Sequence, residues 1–388
     1  MKKIAVVTAT RAEFGLLAPL VNELRRYESD DFRVELVVTG THLYAEYGNT
    51  IDEIKSQGIR IDHTVKVSVA SESEADISAN QADVLMQFTR IFLSDKYNGI
   101  VILGDRYEML AVAMAAGNTR TPIFHLCGGD TTEGAMDEWI RHSITKMSYL
   151  HFVTNEDSKK RVIQLGEHPD RVFNYGSTSV DNSIIVATMS KDKALASIGL
   201  EDCKYALCTY HPVTMDGEAV DILVYDLLEA VKVFPDIEFI FTKSNADQGG
   251  LRINEILDDE EKNIPNLHVF TSLGVKRYLS LMRYCELVLG NSSSGIIEAP
   301  VFKVPTVNIG DRQRGRLQTE SIINCDTDTK SIANAIKKAI SKEFKLACEN
   351  VVSPYGEGHA ARDIAKTIVD VVLNKEIDLK KKFFDIVL

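Results

Sequence analysis

An alternation constrains this chain more than any other feature. Short β-branched, apolar runs take turns with longer amphipathic stretches, and the sequence passes through the pattern twice. In the first pass "KIAVVTAT" (3–10), "RVELVVTG" (33–40), "GIVILGD" (99–105), "TPIFHL" (121–126) and "LHFVTN" (150–155) read as strands. Helical periodicity covers 13–27, 74–95, 107–118 and 137–149. In the second pass the strands are "KYALCTY" (204–210), "IEFIFTK" (237–243), "LHVFTS" (267–272), "ELVLGN" (286–291) and "VPTVNI" (304–309), with helices over 216–233, 274–284, 294–302 and 329–341. Strands separated by helices make βαβ units, and hence parallel sheets. Runs that are apolar throughout fit a sheet covered on both faces. At 388 residues the chain exceeds what one core usually holds. Two α/β domains are expected, 1–178 and 179–360, joined within the polar stretch "YGSTSVDNSI" (175–184). A last helix is expected over 359–375, entered through the breakers of "SPYGEGHA". Periodicity leaves open which domain it packs on.

Composition narrows the partners. A hydrophobic fraction of 45% supplies two cores. A net charge of −12 argues against nucleic acid or an anionic membrane as the main partner, while leaving room for a local anion pocket. Six cysteines without a CxxC pair or metal-type spacing read as reduced thiols in a cytosolic protein. The opening "MKKIAVVTATRAEFG" reads as a first strand and not as a signal peptide. No apolar stretch reaches the roughly 18 residues of a membrane span.

In an open parallel sheet, ligands bind beyond the carboxyl ends of the strands. The residues just past those ends are Arg11 and Glu13; Thr39 to His42; Asp105 and Arg106; Cys127 to Asp137; His211; Ser244, Asn245 and Asp247; and Ser292 to Gly295. This concentration of polar groups points to an active cleft between two domains. "FHLCGGDTTEGAMDEWIRH" (124–142) is the densest stretch, with Asp130, Glu133, Asp137 and Glu138 following two glycines. In "GNSSSGIIEAP" (290–300) free N–H groups, a helix dipole and the hydroxyls of Ser292 and Ser293 suit a phosphate, and Glu298 suits ribose hydroxyls. His211 in "YHPVT" and the arginines of "GDRQRGR" (310–316) suit a diphosphate. Each has a plainer reading. The serines can cap a helix, His211 can be a loop histidine, and the arginines can line a solvated turn. Asp105 and Asp137 can be helix caps, and Glu138 can pair with Arg141 or His142 at helical spacing. Trp139, and the cysteines other than Cys127, read as core.

"TATRAEFG", "GDRYEML", "GGDTTEGAMDEWIRHSITK", "YHPVT", "GNSSSGIIEAP" and "NIGDRQRGR" occur in this order. Together they resemble the UDP-N-acetylglucosamine 2-epimerase family over essentially the full length. Arg106 after "GD" and the "IRHSITK" helix resemble its hydrolysing branch, which makes N-acetylmannosamine for sialic acid-type sugars. The resemblance implies an α/β, glycosyltransferase-B-like fold: two Rossmann-like domains facing a central cleft, with the C-terminal segment 361–388 returning to the first. It implies a UDP-sugar substrate and UDP product, no cofactor and no metal, and a cytoplasmic homodimer or homotetramer. The implied reaction eliminates UDP across C1–C2 to a glycal, then adds water with inversion at C2. Carried over by position, Asp105 matches a catalytic aspartate, Asp137 the acid opening the "DExIRH" helix, and Arg106 a substrate-contacting arginine. Arg11 matches the arginine of the first loop. His211, Asn245, Ser292, Ser293, Glu298 and Arg312 match the nucleotide-binding set, which Leu273 and Gly295 join. Asp130 and Glu138 complete the catalytic candidates.

One position departs from the pattern. Cys127 stands where the sialic acid-type epimerases carry a glutamate thought to be catalytic. A thiol, with a reference pKa of about 8.5 against about 4.3, is a different proton carrier. Either Asp130, Glu133 or Asp137 takes over, or Cys127 acts as a thiol acid, or the substrate differs, for instance a UDP- or GDP-linked 2,4-diacetamido-trideoxy sugar of a legionaminic acid-type pathway. A glycosyltransferase of the same fold and a silent nucleotide-sugar binder are the competing classes.

Overall fold

The computed structural model describes residues 1–45, 50–69, 73–132, 136–212, 220–244 and 250–386. The chain divides into two compact units, Met1–Asn182 with Tyr355–Leu388, and Ser183–Pro354.

The strands of the first unit are β1 (Lys2–Thr8), β2 (Phe32–Thr39), β3 (His63–Val65), β4 (Gly99–Leu103), β5 (Ile123–Leu126), β6 (Leu150–Val153) and β7 (Val172–Asn174). Between them run α1 (Arg11–Arg25), α2 (Ile51–Ser56), α3 (Glu74–Asp95), α4 (Tyr107–Thr119), α5 (Met136–Met147) and α6 (Glu156–Gln164). α7 (Thr178–Val186) carries the chain into the second unit. There lie β8 (Tyr205–Thr209), β9 (Glu238–Thr242), β10 (Leu267–Phe270), β11 (Leu287–Gly290), β12 (Thr306–Ile309) and β13 (Ile322–Cys325). Its helices are α8 (Lys191–Ala196), α9 (Val220–Lys232), α10 (Gly250–Glu260), α11 (Gly274–Met282), α12 (Ser294–Ile297), α13 (Thr329–Ala339) and α14 (Lys342–Glu349). α15 (Ala360–Asn374) belongs to the first unit.

Both sheets are parallel, ordered β3-β2-β1-β4-β5-β6-β7 and β10-β9-β8-β11-β12-β13. β1 pairs on both sides, Val6 lying opposite Leu36 and Val101. β8 does the same in the second sheet, with Leu207 opposite Ile240 and Val288. Successive residues of β1 feed opposite faces. Ile4 and Val6 join Leu17 and Leu20 of α1, whereas Ala5 and Val7 join Phe88 and Phe92 of α3. Each buried Leu, Ile or Phe contributes about 1.5–3 kcal/mol, so an apolar run is stable only where helices cover both faces. α15 lays Ile364, Ala365 and Ile368 into the α1 side of that core. Asp181 accepts N–H bonds from Ala360 and Ala361 at its start.

The structure adds three strands to those expected, β3, β7 and β13. All are edge strands of three or four residues and only partly buried, so none carries a continuous apolar run. The helix expected over 294–302 is instead the four-residue α12 followed by a 3₁₀ turn at Ala299–Phe302. Pro300 has no N–H and its ring opposes the carbonyl four residues back, which ends the α-helical ladder. Trp139 is 55% exposed and not core. The buried side of α5 is Ile140, Arg141, Ile144 and Thr145, and Trp139 falls outside it. Cys208, Cys285 and Cys348 are buried, while Cys203 and Cys325 are partly so. Among the described residues no helix is long and apolar enough to cross a membrane.

Candidate active site

Strand order reverses between β1 and β4 in the first sheet and between β8 and β11 in the second. At such switch points the loops beyond the strand ends diverge and leave a crevice for ligands.

In the first unit Arg141 of α5 organises the group, with a guanidinium only 2% exposed. Nε donates to Asp105 Oδ2 at 3.0 Å, and Nη2 donates to the same oxygen and to Thr132 Oγ1 at 2.9 Å. Nη1 donates to the Asp130 carbonyl at 2.7 Å and to Glu138 Oε2 at 3.0 Å. Asp105 therefore binds Arg141 and is not the cap of α4, whose N-cap is Arg106. Burial acts to raise the Glu138 pKa, but the Thr132 N–H, His142 and Arg141 together hold it below the usual carboxylate range. Asp130 Oδ1 accepts from Thr154 Oγ1 at 2.7 Å and Ser158 Oγ at 2.6 Å, which ties the loop to α6. Asp137, in the first turn of α5, reaches solvent, and no described residue hydrogen-bonds its carboxylate. Partial desolvation, and then the nearby Asp105 charge, raise its pKa.

Arg106 lays Nε (3.2 Å) and Nη2 (3.1 Å) on the buried Glu108 carboxylate. Arg11 is exposed and pairs with Glu53 of α2 at 3.0 Å. His125, fully buried and held neutral by that burial at about 3, bonds the Gly104 carbonyl at 2.8 Å and so fixes the backbone just before Asp105.

The two glycines after Cys127 are required by packing. A Cβ on Gly128 would lie 2.9 Å from Thr145 Oγ1, and one on Gly129 would lie 2.3 Å from the Ser158 carbonyl. Cys127 itself has φ +63°, a left-handed conformation that costs a non-glycine residue about 1–2 kcal/mol. Its N–H bonds the Phe152 carbonyl at 2.9 Å, and its side chain packs, half-buried, against the α1 side of the core.

In the second unit Asn291 is the fully buried hub. It exchanges two bonds with the His211 backbone, N–H to Oδ1 at 2.7 Å and Nδ2 to carbonyl at 2.8 Å. Its own carbonyl accepts from Arg312 Nη1 (3.1 Å) and Gln313 Nε2 (2.8 Å). His211 Nδ1 meets Ser244 Oγ at 3.1 Å. Gly290 (φ +131°) admits this approach, since a Cβ there would collide with the Thr209 carbonyl. Ser293 makes no side-chain cap bond. With only four residues in α12, the helix dipole at this end is small. Gly295 is buried against Thr306, which bonds its carbonyl. Glu298 ends α12. The Leu273 side chain is core, so only its backbone is available to a ligand. Asn245, Asp247 and Glu133 lie outside the described residues.

Sequence reasoning missed Arg141 as organiser, the Glu108 anchor of Arg106, and Gln313. Burial was the missing signal: all three are polar side chains only 2% exposed, and nothing in the local sequence marks them as such. Among the described residues one group has metal-like spacing, Glu35, His63 and Asp95. Lys3 already occupies it, with Nζ 2.9 Å from Asp95 and 3.4 Å from Glu35.

The family model for UDP-N-acetylglucosamine 2-epimerase matches residues 23–369. The chain belongs to the UDP-N-acetylglucosamine 2-epimerase family. It is 41% identical to a GDP/UDP-N,N'-diacetylbacillosamine 2-epimerase (hydrolyzing) of Campylobacter jejuni, over 99% of each chain. It is 36% identical to a polysialic acid biosynthesis protein of Escherichia coli, over 100% of this chain and 98% of the relative. The crystal structure of a Neisseria meningitidis UDP-GlcNAc 2-epimerase bound to UDP-GlcNAc shares the fold, with a TM-score of 0.76 at 20% identity over 95% of this chain and all of that one.

Proposed function

We propose that the chain is a hydrolysing nucleotide-sugar 2-epimerase acting on UDP-N-acetylglucosamine. UDP leaves by elimination across C1–C2, water adds to the glycal with inversion at C2, and N-acetylmannosamine and UDP are released. The observation that carries the reading is a pair of aspartates in contrasting settings, in a chain of this family. Asp105, gripped by the Arg141 guanidinium, is the carboxylate that takes the C2 proton. Asp137, with its pKa raised, is the acid that returns one from the other face. A carboxyl that partial burial and a neighbouring charge keep protonated more readily is suited to the donor role, and each transfer is worth roughly 10²–10⁴ in rate. Glu138 and Asp130 hold Arg141 and the loop in place. Arg106 contacts the substrate. His211, Asn245, Ser292, Ser293, Glu298 and Arg312 hold the nucleotide, with Arg312 and the N–H groups of 292–294 stabilising the charge of the departing diphosphate.

A second reading takes the same reaction to a UDP- or GDP-linked 2,4-diacetamido-trideoxy sugar. Cys127 supports it, since a half-buried thiol suits a less polar sugar than a glutamate would. So does the substrate in the name of the Campylobacter relative. Incubating the pure protein with each nucleotide sugar, without acceptor, and assaying free nucleotide and free sugar separates the two. In deuterated water the product should carry one deuterium at C2. Asp105→Asn and Asp137→Asn should each lower turnover at least about 10²-fold with UDP affinity nearly intact. Nucleotide release only when an acceptor is added would mean a glycosyltransferase instead.

A further inference from the structure

One carboxyl at the β1/β4 switch point has no role in the chemistry above. Glu13, in the first turn of α1, is buried. Its Oε2 accepts the N–H groups of Ala9 (2.8 Å) and Thr10 (3.1 Å), which completes the capping box of α1. Its Oε1 is buried with no hydrogen-bond partner among the described residues. An anion with one bare oxygen is expensive to bury, and a neutral carboxyl much less so. The charged groups acting on it come from α4: Arg106, which favours the anion, and Glu108, which opposes it. Arg106 is already engaged by Glu108 through two N–H bonds. On the turn after β2, His42 is neutral, held by burial at about 4, and on α1 itself Arg11 pairs with Glu53. Burial dominates these influences and pushes the Glu13 carboxyl up to about 7.

We propose that Glu13 is a positioning residue for Arg106: uncharged, it leaves a neutral Arg106–Glu108 pair beside which a dianionic nucleotide sugar binds; ionised, it adds buried negative charge there and weakens that binding. The inference rests on the nucleotide-sugar reading above and adds to it a pH-dependent substrate capture.

The test is the pH profile of KM and kcat for UDP release between about pH 6 and about pH 8.5, spanning the neutral range in which a diphosphate diester does not titrate. In the native protein KM should rise about three- to tenfold across neutrality, the effect of one charge at short range in a partly screened site, while kcat changes little. In Glu13→Gln the profile of KM should be flat. In Glu108→Gln the loss of a like charge favours the Glu13 anion, so the inflection should move to lower pH; this variant decides the matter if Glu13→Gln does not fold. A native profile without inflection, an inflection retained in Glu13→Gln, or an unmoved inflection in Glu108→Gln overturns the role of Glu13 alone. Absence of nucleotide release by the native protein from either sugar at any pH overturns the epimerase reading, and this inference with it.

Discussion

Replacing Arg141 with Met removes the guanidinium and keeps a long apolar side chain in α5. The structure sets the magnitude. The change strips two ion-pair bonds from Asp105, one from Glu138, and the guanidinium's bonds to the uncharged Thr132 hydroxyl and Asp130 carbonyl. Breaking a buried ion pair from one side costs about 3–5 kcal/mol. The two carboxylates keep 29% and 25% of their surface and partly rehydrate, which brings the expected loss to about 2–4 kcal/mol. Trp139 is the only tryptophan in the chain and lies two residues from Arg141, so its fluorescence follows this unit even where the two units unfold separately. With a urea m-value near 3 kcal/mol/M, the midpoint should fall by about 1 M. Turnover should drop at least about 10²-fold, because Asp105 loses its fixed geometry. UDP affinity by calorimetry should stay within about twofold, as the proposed nucleotide set lies in the other unit. Arg141→Lys keeps the charge but not the fork, and should recover part of the stability while recovering little turnover. A midpoint shift below about 0.2 M for Arg141→Met would refute the claim that this guanidinium holds the site together.

Arg312→Ala should weaken UDP binding by about 1.5–3 kcal/mol, the range for a charged hydrogen bond; unchanged affinity by calorimetry would remove Arg312 from the site. Cys127→Ser should cost less than about tenfold in turnover, and a loss as large as that of Asp105→Asn would make the thiol a working acid or base. Cys127→Gly relieves the left-handed strain at that position, so it should fold at least as well while discriminating less between the two candidate sugars. Burial acts to raise the Glu167 pKa, but bonds from His151, Lys146 and Lys381 outweigh it and bring the value to about 2 from 4.5. The ionised form is thus favoured by folding, and its contribution, about 3 kcal/mol, is present above pH 4.5 and lost as the pH falls toward 2. Glu167→Gln should be less stable by about that amount at neutral pH, with the gap narrowing in acid unfolding curves; a gap independent of pH would contradict the assignment.

The interior strands were legible because a strand covered on both faces must be apolar throughout, as Ile4–Val7 and Tyr205–Cys208 are. The edge strands were not, because β13 and β7 are only four and three residues long, partly solvated, and each includes a polar Asn. Helix length failed at Pro300 because the apolar periodicity continues through a residue that cannot extend the ladder. At the candidate site, position was legible and partnership was not. Asp105 could be placed at a strand mouth, but its bond to Arg141 spans 36 residues and leaves no local signature. The same holds for Gly128 and Gly129, where the space left for a side chain is taken by Thr145 of α5 and Ser158 of α6, residues 17 and 29 positions further on.

That partnership accounts for the crowding of carboxylates after the glycines. In the described part of the stretch, Asp130 braces α6 through Thr154 and Ser158, and Glu138 neutralises Arg141 and holds the Thr132 N–H. Both are charges spent on holding the loop. Asp137 alone among them is without a hydrogen bond from a described residue and has a raised pKa. A carboxyl that must donate a proton to a substrate is poorly served by being a fixed acceptor, because each N–H bond it accepts stabilises its anion and lowers its capacity to donate. Glu138 shows that effect one residue away: its accepted bonds overcome burial and lower its pKa, while Asp137, on the same turn of the same helix, shifts the other way. Among its described residues the acidic run is therefore one candidate proton carrier set among carboxylates that hold the loop. Converting Glu138 to Gln should disturb the position of Arg141 without creating or removing the titrating group, whereas Asp137→Asn should remove it from the pH–rate profile.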